Sequence, residues 1–433
     1  MRTTSTKHIA NPTLFKEQIL YWSQQFNETI ILDSNVESNE NQLYKSYDLI
    51  IAVDAFTSIQ TDYEKAFEDL YQYQSKANDW LFGYLAYDLK NDVEHLQSQN
   101  FDGLGFSDLY FFQPKKIFLL KDSTLEIQYL NMCDDEIDSD LEDILNQEKS
   151  ESQESKVTIQ QRISKENYIK KVEKTLAHIR RGDIYEANFC MEFYSNEASI
   201  APFEVFTKLN KISAAPFSVY LKKNNHYLLS ASPERYLKKE NEKVISQPIK
   251  GTAKRNSNSE LDGQNKVALQ YNAKERSENI MIVDLVRNDL SQTATKSSVE
   301  VEELCNVYSF KQVHQMISTI TSNVAHTTSP IEILRTTFPM GSMTGAPKIS
   351  AMKIIEDLEE TKRGLYSGAV GYFTPSGNFD FNVVIRSILY NSDNKYLSFS
   401  VGSAITSEAI PENEYEECLL KAKAMFEVLN EKG

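Results

Sequence analysis

The sequence predicts a protein of mixed α/β class, and three features of the pattern predict it. Short apolar segments alternate with polar, helix-like ones over the first hundred residues. Capped amphipathic segments follow in the middle of the chain. A meander of strand-like segments separated by Pro, Gly, Asn and Ser turns runs from residue 367. At 433 residues the chain is long enough for two or three ordinary domains or one large interleaved one. Apolar residues at 41% and aromatic residues at 11% supply a substantial core.

Taken in order, residues 46–53 (SYDLIIAV) read as a strand, 62–77 as a helix, and 80–89 (WLFGYLAYDL) as a buried strand ending in a turn. Trp80, Tyr84 and Tyr87 belong to the core on this reading, because aromatic residues in strands pack. Residues 117–120 and 125–130 form a hairpin around Lys121-Asp122-Ser123. A helix is expected over 164–181, with Ser164 and Asn167 as candidate N-caps and Gly182 as its stop. Residues 183–193 alternate like a strand, and 218–230 read as a hairpin turning at Asn224-Asn225. Residues 309–325 are amphipathic or extended and 331–337 form a short helix. The loop FPMGSMTGAPK is expected to expose backbone N–H groups, and Pro347 opens a helix whose Ile349, Met352, Ile355 and Leu358 make an apolar stripe. Such a loop at a helix N-terminus favours anions, but it lacks the spacing of a P-loop. Strands at 367–374, 379–390 and 396–405 and a helix opening near Pro411 complete the chain.

Residues 134–160 shift to Asp, Glu, Ser and Gln, and read as an acidic linker between regions 1–133 and 161–433. Residues 137–145 within it have the pattern of a short acidic helix. A net charge of −16 argues against non-specific nucleic-acid binding, which needs clustered Lys and Arg. No apolar run approaches the ~20 residues of a membrane span, and the N-terminus has no signal-like apolar region. The four cysteines are far apart and make no metal-ligand pairs. A reduced, cytoplasmic protein is expected.

The chemistry concentrates in residues 247–289. Lys250 stands beside Gly251 in Pro-Ile-Lys-Gly-Thr, where the backbone can approach a ligand closely. Glu275 and Glu278, three apart ahead of an apolar run, share one face if that run is helical. Glu414 and Glu417 repeat the spacing near the C-terminus. Each pair has a structural explanation: Asn272 with Glu275 fits a capping box, and Glu414 suits the positive end of a helix. Together, with Lys250 and Arg386, they suit one Mg²⁺, which takes one or two carboxylates, waters and substrate oxygens. Arg386 lies in an otherwise apolar strand, so a buried anionic partner is expected. Glu234, beside an X-Pro turn, and the lone His314 would by themselves be a solvated carboxylate and a structural histidine.

The segments SPER, PIKGT, ENIMIVDLVRNDLS, FPMGSMTGAPKISAMKIIEDLE, SGAVGYF, FNVVIRS and ENEYEECLLKAKAM resemble, in order, the signature blocks of the chorismate-utilising enzymes. The resemblance covers roughly residues 164–429. It implies the α/β sandwich of anthranilate synthase component I: two large antiparallel sheets flanked by helices, with N- and C-terminal regions interleaved. Lysine at 250 and Asn at 279 resemble the branch that aminates chorismate at carbon 4, a step towards p-aminobenzoate and folate, whereas anthranilate-forming relatives carry Ala and His there. The alternatives are an anthranilate synthase component I and an inactive scaffold that docks an amidotransferase.

The resemblance also implies roles. Lys250 would attack the ring and Glu234 would be the general acid at the departing 4-hydroxyl. Glu278 and Glu417 would bind Mg²⁺ directly, with Glu275 and Glu414 holding its waters. Arg386 and Tyr372 would bind the enolpyruvyl carboxylate, helped by backbone near Gly402, while Gly251, Thr252 and Thr344 would line the ring. Ammonia would come from a separate glutamine amidotransferase subunit, since the chain shows no nucleophilic-cysteine elbow. A nucleophilic Lys250 needs its proton affinity lowered, by burial or by a cation such as Mg²⁺ or Arg386. Glu186, where relatives carry Gln, Ala404, where they carry Gly, and His314, one place from the anthranilate synthases' active-site histidine, depart from the family pattern. Ile31-Leu32-Asp33-Ser34 is a degenerate form of the family's Leu-Leu-Glu-Ser tryptophan motif.

Overall fold

Two long antiparallel strands, Leu49–Thr61 and Leu109–Lys121, form the seam of the molecule. They pair from Leu49 opposite Leu120 to Thr61 opposite Leu109. The other edge of Leu109–Lys121 is shared: Leu81–Leu85 pairs at its start and Thr124–Leu130 at its end. A register shift between Ala55 and Thr57, next to Asp54 at φ 60°, bends the seam as a bulge does. Both long strands therefore pass from one sheet into another. The computed structural model describes residues 1–35, 43–94, 96–148 and 155–429; residues 149–154 of the acidic stretch lie outside them.

The first sheet continues from the seam through Glu28–Asp33, Phe217–Lys223, His226–Ser232, Ser387–Asn391 and Tyr396–Ile405 to Glu186–Ser195, with Thr124–Leu130 and Arg2–His8 on its far side. The second runs through Leu81–Leu85, Ala369–Phe373, Phe379–Asn382, Arg235–Glu240 and Lys243–Gln247 to Val313–Asn323. Ile249–Lys254 and Glu300–Ser309 flank that last strand. All these pairs are antiparallel, and helices cover the outer faces, as the sandwich expectation requires. Side-chain alternation separates two cores: Ile51 and Val53 point into one, Ile50 and Ala52 into the other. Each core draws on residues from both sides of the acidic stretch. Within that stretch Ile137–Leu145 is a helix that buries Ile137 and Ile144 and contacts the helix Pro12–Trp22.

Local signals in the sequence match in detail at several places. Ser164 accepts from the Asn167 N–H at the start of Lys165–Arg181, and Gly182 ends that helix at φ 87°. The 218–230 hairpin turns between Lys223 and His226. Trp80, Tyr84 and Tyr87 are buried. Three expectations need correction. The strand expected over 379–390 is broken, with Phe379–Asn382 and Ser387–Asn391 in different sheets. The loop at 338–346 is buried throughout, not exposed. Of the stripe at 349–358, Ile349 faces outward while Met352, Ile355 and Leu358 are buried.

The chain crosses between sheets at two further points, and both carry a predicted site residue. Residues 233–234 link His226–Ser232 to Arg235–Glu240, and residues 383–386 link Phe379–Asn382 to Ser387–Asn391. The crossings lie side by side: the Val383 N–H donates to the Glu234 carbonyl at 3.0 Å and the Ala231 N–H to the Arg386 carbonyl at 3.1 Å. The sheets part here, and the candidate site lies at this parting.

Candidate active site

Glu234 sits on the first crossing and is 4% exposed, contrary to the solvated carboxylate expected of an X-Pro turn on its own. Burial raises its carboxyl to about 7, against the opposing pull of the Ser342 hydroxyl and Lys250. Arg386, on the second crossing, has φ 53° and makes no ion pair among the described residues. Burial lowers its proton affinity, while Tyr366, Glu417 and Cys418 work the other way. An unpaired guanidinium in such surroundings is a place for an anion.

Lys250 lies where a register shift between Ile249 and Thr252 interrupts pairing with Val313–Asn323. Its ammonium donates to Glu186 Oε1 at 2.8 Å. Glu186 opens the strand Glu186–Ser195, is 1% exposed, and has no partner for Oε2 among the described residues. Burial alone would lower the Lys250 proton affinity, but Glu186, Glu278 and Glu234 outweigh it and the net direction is up. The side chains beside Lys250 are carboxylates, which raise its proton affinity where a nucleophile needs it lowered. Gly251, at φ 95°, holds a left-handed conformation that calls for glycine, and a Cβ there would lie 3.1 Å from Glu275 Oε2. Thr252 pairs with Gln315, whose amide oxygen is buried without a partner among the described residues.

Glu275 and Glu278 stand on the helix Ala273–Ser291, which Asn272 caps by accepting from the Glu275 N–H at 3.1 Å. The helix is anchored by Ile282, Val283 and Val286, and by Asn279, whose side chain reaches the Met316 carbonyl at 3.3 Å and accepts from Ser318. Glu414 and Glu417 stand on Pro411–Leu429. The two helices bring all four carboxylates around one ammonium, that of Lys274, which each of them raises. Lys274 Nζ is 3.8 Å from Glu278 Oε1 and 3.7 Å from Glu414 Oε1, too far for hydrogen bonds. Glu278 Oε1 has no hydrogen-bond partner among the described residues, and burial raises its carboxyl to about 7. Burial also raises Glu275, with Glu417 adding to it. Among the described residues no three carboxylate, histidine or cysteine side chains stand close enough to form a closed metal cage. A set of four carboxylates, with one bare buried oxygen among the described residues, nevertheless fits a hard cation that keeps waters and substrate oxygens.

Gly402 packs against the floor of the site: a Cβ there would fall 2.5 Å from Cys190 Sγ and 2.9 Å from Asn188 Oδ1. Its carbonyl accepts from Lys421 at 2.8 Å, and Lys421 also pairs with Glu417 at 2.6 Å. Thr344 is wholly buried and turns its hydroxyl to the carbonyls of its own loop. That loop is fixed to the Glu186–Ser195 strand, with Asn188 N–H donating to the Thr344 carbonyl at 2.7 Å and Gly345 opposite Ala187. Arg363, paired with Glu359 at 2.7 Å, donates to the carbonyls of Met343 and Asn188 and fixes the two together.

Tyr372 is not at this site. It packs on Trp80 and Phe82 and lines a separate cavity with Asp33, Ser34, Tyr47, Phe217 and Arg235. The tyrosine beside Arg386 is Tyr366, six residues earlier. His314 is also apart: it is buried between Ser309 and Asp262, at 2.9 Å and 3.1 Å. The site also contains residues that the sequence reading does not single out, Lys274, Gln315, Tyr366 and Lys421, the last visible as an i,i+4 partner of Glu417, and it contains Glu186, a departure from the family pattern. All four cysteines are free and buried, and burial pushes the Cys190 and Cys418 thiols up to about 12 and about 11, away from nucleophilic use.

Residues 15–427 match the family model described as chorismate binding enzyme. The chain is 33% identical to an aminodeoxychorismate synthase, chloroplastic, of Arabidopsis thaliana over 91% of its own length and 44% of that protein's. It is 28% identical to aminodeoxychorismate synthase component 1 of Bacillus subtilis, over 92% of this chain and 85% of that one. The chain spans less than half the length of the plant relatives it matches. The crystal structure of anthranilate synthase component I from Streptococcus pneumoniae superposes with a TM-score of 0.79 at 23% identity, covering 89% of this chain and 93% of that one, a likeness of fold. Among the described residues no helix is long and apolar enough to cross a membrane.

Proposed function

The chain belongs to the chorismate binding enzyme family, and from that premise we propose that it replaces the 4-hydroxyl of chorismate by ammonia, giving 4-amino-4-deoxychorismate for p-aminobenzoate and folate synthesis. The observation that carries the reading is Lys250, 2.8 Å from the enclosed Glu186 and electrostatically coupled to a Glu234 raised to about 7. A lysine and a carboxylic acid that holds its proton near neutral pH are what displacement of a hydroxyl needs. The similarity to relatives named aminodeoxychorismate synthase supports the same reaction.

In the proposed sequence Lys250 first passes a proton to Glu186, the carboxylate within hydrogen-bonding reach. The free amine attacks carbon 2 of the ring, the double bond shifts, and the C4–O bond breaks as Glu234 protonates the leaving oxygen to water. Ammonia then attacks carbon 4, the double bond returns, and the C2–N bond to Lys250 breaks. The new ammonium group returns one proton to Glu234, and Lys250 regains its own from Glu186. The sum is chorismate plus ammonia giving the amine plus water. Arg386 would hold the enolpyruvyl carboxylate with Tyr366 beside it, and Gly251, Thr252, Thr344 and Gly402 would shape the ring pocket. Glu278 and Glu417 would hold a Mg²⁺ directly, with Glu275 and Glu414 holding its waters. When bound, the ion would neutralise substrate carboxylate charge. Two of the aminodeoxychorismate synthase relatives are named component 1, so we take the ammonia to come from a separate glutaminase subunit.

Purified chain incubated with chorismate, Mg²⁺ and ammonium should form an amino product that an added lyase converts to p-aminobenzoate. Direct release of fluorescent anthranilate would replace this reading with an anthranilate synthase, and no consumption of chorismate, even with a glutaminase present, would replace it with a docking scaffold.

A further inference from the structure

The turn that aims Lys250 is a bulge. Ile249 pairs with Ile317 and Thr252 with Gln315, so Lys250 and Gly251 together stand opposite Met316 alone. Two residues against one interrupt the ladder and re-aim the side chain between them. Here the re-aimed side chain is Lys250, which reaches Glu186 on another strand. Closing the ladder by one residue would turn the lysine to the opposite face of the strand. The bulge therefore has to be held open, and the backbone groups it interrupts need partners away from water.

One side chain meets both needs. Asn279, 1% exposed, donates its amide NH₂ to the Lys250 carbonyl at 3.4 Å and to the carbonyl of Met316, opposite it, at 3.3 Å. Turned round, the amide would set its oxygen against two carbonyl oxygens. Its oxygen instead faces Ser318 Oγ and Cys305 Sγ, which both donate to it, the thiol at 3.6 Å. Ser318 Oγ is held in turn by the Cys305 N–H at 2.9 Å.

We infer that Asn279 is the positioning residue for Lys250: its amide clasps the two carbonyls across the bulge and so holds the lysine on the face that meets Glu186. Asn279 directly follows Glu278 on the helix Ala273–Ser291, so one helix fixes both the lysine and a ligand of the proposed cation. The inference rests on the reading above for Lys250 acting as a nucleophile, but the placing of the lysine is testable without turnover.

The test is a double-mutant cycle on the Lys250–Glu186 pair, read by thermal melting. With Asn279 in place, the costs of Lys250→Met and Glu186→Gln should not add, because each change alone takes the partner from a buried charged group. In an Asn279→Leu or Asn279→Asp background they should add. Asn279→Asp keeps the acceptor for Ser318 and loses both donors, so it decides the matter where Asn279→Leu fails to fold. With chorismate, Mg²⁺ and ammonium, the Asn279 variants should lose roughly ten- to hundredfold in kcat, the range for two hydrogen bonds, and keep the KM for chorismate within about threefold. Ser318→Ala removes a bond on the far side of the same amide. It should lower the melting temperature and leave kcat within about threefold. Non-additivity that persists without Asn279, or a loss of kcat in Ser318→Ala as large as in the Asn279 variants, overturns the inference. If wild type shows no ammonia-dependent turnover, the nucleophile reading fails, and the melting cycle still decides whether Asn279 aims the lysine.

Discussion

Lys274→Met should tighten Mg²⁺ binding. The Lys274 ammonium now occupies the centre of the carboxylate cluster, 3.8 Å from Glu278 Oε1 and 3.7 Å from Glu414 Oε1. Coulomb attraction at these distances is roughly 1 kcal/mol per pair in a water-like dielectric. The lysine side chain is 44% exposed, so solvent screens part of this. About 1–2 kcal/mol remains for the cluster as a whole, which a divalent ion must replace as it displaces the lysine. Removing the lysine should therefore lower the Kd for Mg²⁺ by roughly tenfold. The metal-free variant should also melt lower than wild type, because Glu275, Glu278, Glu414 and Glu417 then repel one another with one counter-charge fewer. Calorimetric titration of Mg²⁺ into both chains at low ionic strength, with Glu278→Gln as a control that binds weakly, measures the difference. An unchanged or weaker Kd in Lys274→Met would show that the lysine does not compete for the cation, and the cluster would need another explanation.

Three further outcomes are expected. Glu278→Gln and Glu417→Gln should each abolish ammonia-dependent turnover while shifting the melting temperature only by a few degrees, whereas ordinary surface changes stay within about ±0.5 kcal/mol and leave turnover alone. Arg386→Lys and Tyr366→Phe should raise the KM for chorismate, the first because a point charge replaces a bidentate fork, and Tyr372→Phe should not; an effect confined to Tyr372→Phe would return the substrate carboxylate to the second cavity. The pH profile follows from Glu234: with its carboxyl raised to about 7, the acid form is present below that pH and is lost as pH climbs through it. At saturating Mg²⁺ kcat should fall about tenfold per unit above pH 7, and a profile flat to pH 9 would remove Glu234 as the acid.

What could be read from the sequence was what depends on local chemistry. Ser164 and Gly182 bound their helix because an N-cap oxygen and a left-handed glycine act within one turn. The two Glu-x-x-Glu pairs lie on helices for the same reason of spacing. Glu234 and Arg386 were harder, because each lies where the chain leaves one sheet for another, and neither crossing has a periodic signature. Arg386 looked like a strand residue and has φ 53°. Tyr372 is misplaced because its role rests on the resemblance, and the segment LYSGAVGYF offers two tyrosines; the ring of Tyr372 faces Trp80 and Phe82, and Tyr366 is the one beside Arg386. The state of Lys250 depended on Glu186, 64 residues away in the chain and 2.8 Å away in space, and no local pattern reports such a contact. Lys421 was the exception, legible as the i,i+4 partner of Glu417.

The most direct test of the central claim uses ¹⁵N-labelled ammonium. Chorismate, Mg²⁺ and the chain are incubated with it, and the product is read by ¹H–¹⁵N correlation NMR. The account predicts ¹⁵N bonded to carbon 4 of a ring that retains its enolpyruvyl group, with the signal absent in Lys250→Ala. Label at carbon 2, or in an aromatic amine released together with pyruvate, would contradict it.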